Sequence, residues 1–390
     1  MRLSLSAFLI ILTTFSTACG LLAEPAATPL PPMTVTPPVV AIVTDVPPAV
    51  EQVTPLPEPT LTSPEPAFES TLDRVLQRGR LRCGVNDSLP GFGFREADGT
   101  FTGFDTDFCR ALGAAVLGDK NAVEFVPLNT NERFQGVADR RVDVLFRNTT
   151  WTASRDIGTD VIPRLDFGPT IFHDGQRFMV RRSANITTFE DLRDKYICVL
   201  SDTTTQQNLR DQFEAWEIPF ELIGEDTPDN VYDAYARGRC DAVTSDTSQL
   251  VSRRQSLPNP DDHIILEAPI SREPLSPALI EQDSIWRDVV SWTIYAVIYA
   301  EELGVDSVNL NRKAREGNPD VEALLGIRGQ VGERLGLKPD FARTVIQQVG
   351  NYEEIYNRNL GPRTPFNLDR GPNKAWNKGE GGVLSSPPFR

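Results

Sequence analysis

From Thr71 onward, short apolar runs alternate with stretches of helical period, and at Ile197 the alternation begins again. In the first round, residues 81–85, 123–127 and 142–146 read as strands. Residues 106–116 read as a helix, with Phe108, Ala111, Leu112 and Ala115 at helical spacing, and 131–139 as a second helix. The second round predicts strands at 197–200, 220–223 and 241–244 and helices at 204–216, 227–237 and 247–255. Strand–helix–strand order predicts parallel sheets with helices on both faces, so two such rounds predict an α/β chain of two lobes. A long amphipathic helix over 285–303 follows, and the residues beyond it are rich in Gly, Asn and Pro.

The first 68 residues read differently. Arg2, an apolar stretch over 3–15 and the small residues Ser16 to Gly20 read as an export signal over 1–19, too short in its apolar part to persist as a membrane-spanning helix. Small residues directly before Cys19 resemble a bacterial lipobox, which implies lipidation of Cys19, although Ser16 stands where Leu is usual. Residues 20–68 carry thirteen of the 31 prolines and read as an extended, semi-rigid stalk that cannot bury a core. The other four cysteines, Cys83, Cys109, Cys198 and Cys240, then lie in an oxidising compartment, where disulfides are the default and three connectivities are open. The sequential pairing is favoured, because Cys83 lies in a strand leading to the helix that holds Cys109. Cys198 likewise lies in a strand expected to neighbour the one after Cys240.

A balance of 39 basic against 54 acidic side chains, net −15, argues against nucleic acid as a partner. His173 and His263 are the only histidines, far apart, so a histidine triad or His-rich zinc site is not expected, and no metal or cofactor is. No phosphate-binding glycine loop, HExxH, GxSxG or CxxC occurs. Polar residues instead gather where strands end, the place at which open α/β sheets bind ligands. Arg147-Asn148-Thr149-Thr150 and Arg155 follow one strand, and an arginine there can grip a carboxylate with two parallel hydrogen bonds. Ser201-Asp202-Thr203-Thr204-Thr205 opens a helix whose free N–H groups suit an anion, and Ser245-Asp246-Thr247 sets a carboxylate where it could meet a cation. The plainer alternatives are an Arg155–Asp156 surface pair, a threonine helix cap and Asp246 as an N-cap.

The chain resembles the type II solute-binding proteins of ABC transporters, in particular the general L-amino-acid-binding branch. The likeness is carried by Gly103-Phe104-Asp105 through Leu112, Val142-Asp143-Val144-Leu145 with Arg147 to Thr152, Ser154-Arg155-Asp156, and Gly238-Arg239-Cys240-Asp241. Ala300 to Val305, Val349-Gly350-Asn351-Tyr352 and Ala375-Trp376-Asn377-Lys378-Gly379 extend it to the C-terminus. The resemblance implies a two-lobed periplasmic-binding-protein type II fold: first lobe over 71–175 and 269–340, second over 176–268, and an extension over 341–390 wrapping the first. It implies a monomeric, non-enzymatic receptor that captures an L-amino acid by hinge closure and delivers it to the permease subunits of an ABC importer. Chain crossings are expected near 172–179 and 268–273. The family's carboxylate-gripping arginine falls on Arg155, its first-lobe contacts on Asn148 and Thr150, its second-lobe contacts on Thr203 and Thr204, and its ammonium-binding aspartate on Asp246. Asn86, Leu89, Thr130, Leu200 and Ser245 would read the side chain, and since none is charged, neutral or mixed amino acids are expected. Asp202 departs from the family's usual glycine, and an N-capping role would turn its charge outward. A sensory receptor subunit and a dehydratase of cyclic amino-acid precursors share this fold and are the alternatives.

Overall fold

The computed structural model describes residues 69–390; the export signal, Cys19 and the stalk lie outside the described residues. A short helix α1 (Thr71–Arg78) leads into β1 (Leu81–Val85) and a three-stranded ribbon of β2 (Ser88–Leu89), β3 (Gly93–Arg95) and β4 (Phe101–Thr102). Helix α2 (Phe104–Leu117) starts two residues before its periodicity does, packed directly on the ribbon. Gly103 makes that approach possible: its φ is 129°, and a Cβ there would lie 2.1 Å from the Phe92 carbonyl oxygen. β5 (Val123–Pro127), α3 (Arg133–Ala138), β6 (Val144–Leu145), α4 (Ala153–Asp156) and β7 (Leu165–Phe167) complete the first pass.

The chain then crosses through β8 (Phe172–Asp174) into β9 (Gln176–Arg181). The second lobe follows as β10 (Tyr196–Leu200), α5 (Thr204–Ala215), β11 (Glu221–Glu225), α6 (Pro228–Ala236), β12 (Ala242–Asp246), α7 (Thr247–Arg254) and β13 (His263–Ile265). It returns through β14 (Glu273–Leu275) and β15 (Ala278–Ile280) to the long helix α8 (Ser284–Glu302). The two five-stranded sheets have matching orders, β5-β1-β6-β15-β7 and β11-β10-β12-β9-β13. In each, the first three strands are parallel, and the fourth, antiparallel, is the strand by which the chain has just arrived from the other lobe. The two crossings pair with each other, Glu273 opposite Asp174 and Leu275 opposite Phe172, as a two-stranded antiparallel hinge.

Alternation along β9 shows why the second sheet is covered twice: Phe178 and Val180 join the layer holding Leu209 and Phe213, while Met179 faces Val231, Tyr235 and Leu250. Cys198 on β10 is bonded to Cys240 just before β12, and Cys83 on β1 to Cys109 on α2, the sequential pairing. In the first lobe, Phe104 packs edge-on against Phe92, Phe108, Phe172 and Tyr352. The helix Phe341–Gln348 lies on α2 and α8, and Phe389, near the end of the chain, stacks on Tyr299 of α8. Asn373 reaches the hinge, its side chain accepting from the His173 N–H at 2.6 Å and donating to the His173 carbonyl at 3.0 Å. Among the described residues no helix is long and apolar enough to cross a membrane.

Candidate functional site

The carboxyl ends of β6, β10 and β12 converge on one cavity between the lobes, about 500 Å³ with its solvent-open mouth included. Asn86, Thr130, Asn148, Thr150 and Arg155 line it from the first lobe, and Leu200, Thr203, Thr204, Ser245 and Asp246 from the second. Leu89 does not: its side chain is 1% exposed in the first-lobe core, because the β2–β3 turn points it inward. The lobes touch at the rim, where Gln249 Nε2 donates to Asn148 Oδ1 at 2.6 Å and Ser252 Oγ to the Pro90 carbonyl at 2.7 Å.

Arg155 is buried and makes no ion pair with Asp156, whose carboxylate accepts instead from Trp151 Nε1. Its Nη1 donates to the Thr150 carbonyl at 2.6 Å, and its guanidinium lies over the Phe134 ring at 5.0 Å. Burial brings its pKa down to about 10, against the pull of Glu273 and Asp246, so it remains a cation at neutral pH.

Asp246 occupies the N-cap position of α7 yet makes no capping bond. The N–H of Ser248 is taken by Asp174, donating to its Oδ2 at 3.1 Å across 74 residues of chain. Relieved of capping, the Asp246 carboxylate turns into the cavity, where Oδ1 is buried without a hydrogen-bond partner. Burial raises its pKa well above the usual carboxylate range, and the nearby Asp174 and Glu273 push it further. At the start of α5, the cap is Thr203, not Asp202: Thr203 Oγ1 accepts from the Gln206 N–H at 3.3 Å. Asp202 is exposed with φ 56°, a left-handed turn that favours glycine and that aspartate tolerates. Its charge faces outward for that backbone reason rather than through capping.

The loop after β6 is held from below. Asp105 Oδ2 accepts from the Asn148 N–H at 2.8 Å, which fixes Asn148 at a positive φ of 42°. Burial raises the Asp105 carboxyl to about 7 despite that bond and the neighbouring Arg147.

Sequence reasoning assigned no binding role to three charged groups of the site. Glu273, on the return hinge strand, accepts from Thr150 Oγ1 at 2.6 Å, Ser271 Oγ at 2.5 Å and Asn208 Nδ2 at 2.8 Å. Arg133 and Arg147 also line the cavity, so the expectation of an uncharged side-chain region does not hold. Arg147 stands in the polar run after β6, one residue before Asn148. Arg133 opens a short helix, where a charged residue is by default a solvated one. Among the described residues no cluster of His, Cys, Asp and Glu has the arrangement of a metal site.

Residues 81–258 match the model of the bacterial extracellular solute-binding proteins, family 3. Over 326 residues the chain is 43% identical to the general L-amino acid-binding periplasmic protein AapJ of Rhizobium johnstonii, covering 83% of this chain and 94% of that protein. It is also 43% identical, over 331 residues and the same shares, to the glutamate/glutamine/aspartate/asparagine-binding protein BztA of Rhodobacter capsulatus. A solved ABC transporter periplasmic binding protein from Brucella ovis with glutathione bound superposes with a TM-score of 0.79 at 41% identity, over 82% of this chain and 99% of that one.

Proposed function

The chain belongs to the bacterial extracellular solute-binding proteins, family 3, and from that premise we propose that it captures L-amino acids by closing its lobes on them and delivers them to an ABC importer. The observation that carries this reading is a pair of opposite charges on opposite lobes, each with bonding capacity left over: Arg155 on the first and Asp246, with its unpartnered Oδ1, on the second. A zwitterion is the small solute that answers both. Its carboxylate would lie between the Arg155 guanidinium and the start of α5, where the Thr204 and Thr205 N–H groups find no acceptor among the described residues. Its ammonium would meet Asp246 Oδ1. Thr150 suits that end as well, because its hydroxyl proton is committed to Glu273 and its lone pairs are left for a donor.

Binding to both lobes at once stabilises the closed arrangement, and the free energy available to drive closure is the difference in affinity between closed and open forms. With Glu273 in the hinge bonded to Thr150 of one lobe and Asn208 of the other, closure and assembly of the site are one event. The relatives' names describe binding proteins, and this reading assigns no catalytic residue. Cys19, lipidated, would tether a monomer to the outer face of the cytoplasmic membrane, with the stalk as spacer.

The test is titration calorimetry of the ligand-stripped full chain against each L-amino acid. One-to-one binding of one or more of them, lost in Arg155→Ala, is expected. Heat from none of the twenty would refute the amino-acid assignment.

A further inference from the structure

Three successive residues where the chain leaves the first lobe, Ile171, Phe172 and His173, are each held by a different residue from the C-terminal part of the chain. Tyr352 Oη donates to the Ile171 carbonyl at 2.7 Å, and the Tyr356 ring stacks on Phe172 with centroids 6.1 Å apart. The Asn373 side chain takes both backbone groups of His173. Opposite His173 on β14 stands Pro274, which has no N–H to give and whose carbonyl already accepts from the Trp151 N–H. A carboxamide carries an acceptor and a donor side by side as a peptide unit does, so Asn373 closes on His173 as a neighbouring strand would. Asn373 is buried and fixed in turn. Arg370 donates to its carbonyl from Nε at 2.9 Å and from Nη2 at 2.7 Å, pairs with the buried Glu301 of α8 at 2.8 Å, and lies over the rings of Tyr352 and Tyr356.

The second lobe takes hold two residues later. The Thr247 N–H, at the start of α7, donates to the Gly175 carbonyl at 2.9 Å, and the Ile270 N–H to the Gln176 carbonyl at 2.8 Å. A Cβ on Gly175 would lie 2.9 Å from the Ser271 carbonyl oxygen, so the two crossings touch just beyond His173. On the return strand, Leu275 bridges Thr150 and the Pro274 carbonyl holds Trp151, both in the loop that supplies the first-lobe wall of the cavity. Turning of the lobes is thereby confined to the links on either side of Asp174 on the outward crossing and to residues 271–273 on the return. Resting on the amino-acid reading above, we infer that Asn373 is a positioning residue for closure: it fixes the point about which the lobes turn and so restricts the open forms from which a ligand is captured. It does this without reaching the ligand, since it lies outside the lining of the inter-lobe cavity. Releasing His173 gives the open protein one more residue of backbone freedom, and closure must remove it again, which weakens binding of every ligand roughly tenfold.

The experiment is Asn373→Ala in the ligand-stripped full chain, read by titration calorimetry with each L-amino acid that wild type binds and by amide hydrogen exchange without ligand. Kd should rise by one common factor, roughly tenfold, for every amino acid, with the ratios between them kept. Exchange should quicken at residues 171–175 and 273–275 and not across the rest of the first lobe. Tyr352→Phe, which removes only the hydroxyl that donates to Ile171, should act in the same direction and serves if N373A does not fold. A Kd unchanged for every ligand would overturn the inference. So would a Kd changed for some ligands and not others, because the effect would then lie in the cavity and not in the hinge. Faster exchange spread evenly through the first lobe would overturn it too, as the mark of an ordinary core contact. If no amino acid binds, the amino-acid reading falls, and the exchange pattern alone decides for or against the hold on the hinge.

Discussion

Replacing Asp246 with asparagine should move stability and affinity in opposite directions. Between the lobes the carboxylate is buried, Oδ1 has no partner, and two further acids lie beside it. A buried unsatisfied polar atom costs about 1–3 kcal/mol, more when charged. The carboxamide keeps the shape and removes the charge, so ligand-free D246N should be more stable by about that amount, a rise in Tm of about 2–4 °C for a domain of this length. Binding should suffer. Removing one partner of a buried charge pair costs about 3–5 kcal/mol, or roughly 10²- to 10⁴-fold in Kd for the preferred amino acid. Differential scanning calorimetry of stripped protein and titration calorimetry read the two effects separately. The linkage also has a sign. Burial keeps the free Asp246 carboxyl protonated to higher pH than usual, and an arriving ammonium favours the ionised form. Binding should therefore release protons, and affinity should fall as pH is lowered from neutral, a dependence that D246N should lack. If D246N melts below wild type and binds amino acids within a few-fold of it, Asp246 is a helix cap and the argument for its freed carboxylate is wrong.

Asp105→Asn tests the support beneath the β6 loop. A carboxyl raised to about 7 in the folded state contributes stability that is complete below its unfolded value of 3.8 and lost as pH rises through about 7. Wild type should thus lose up to about 4 kcal/mol from this group between those values. Urea midpoints should fall less over that range in D105N, and parallel pH profiles would refute the assignment. The disulfides close separations of 26 and 42 residues, so replacing Cys83 and Cys109, or Cys198 and Cys240, by serine should cost at most about 3.5 and about 4 kcal/mol in the chain-entropy account. Equal denaturant midpoints in the oxidised and serine forms would show that the unfolded chain gains little freedom from either change.

What was legible in the sequence was local. Apolar periodicity located the main strands and helices, errors at their ends being a few residues, because side-chain spacing fixes which face is buried but not where the last hydrogen bond falls. The polar residues at the ends of β6, β10 and β12 were legible because strand ends in parallel sheets share one edge. The remaining decisions required the tertiary structure. Whether Asp246 caps its helix or faces the cavity depends on Asp174, which takes the Ser248 N–H from far back in the chain. Leu89 and Arg133 exchanged their expected places, the apolar one going to the core and the charged one to the cavity, because burial is set by what packs above a residue and not by its type alone. Glu273 had no motif to mark it; its role comes from a hinge that sets residues from two lobes around one carboxylate. By itself, then, the sequence located the elements and the polar residues at the strand ends that line the cavity. Which charges meet across the cleft was decided by folding, since a buried charge takes its meaning from its neighbours, and those are assembled only when distant segments pack.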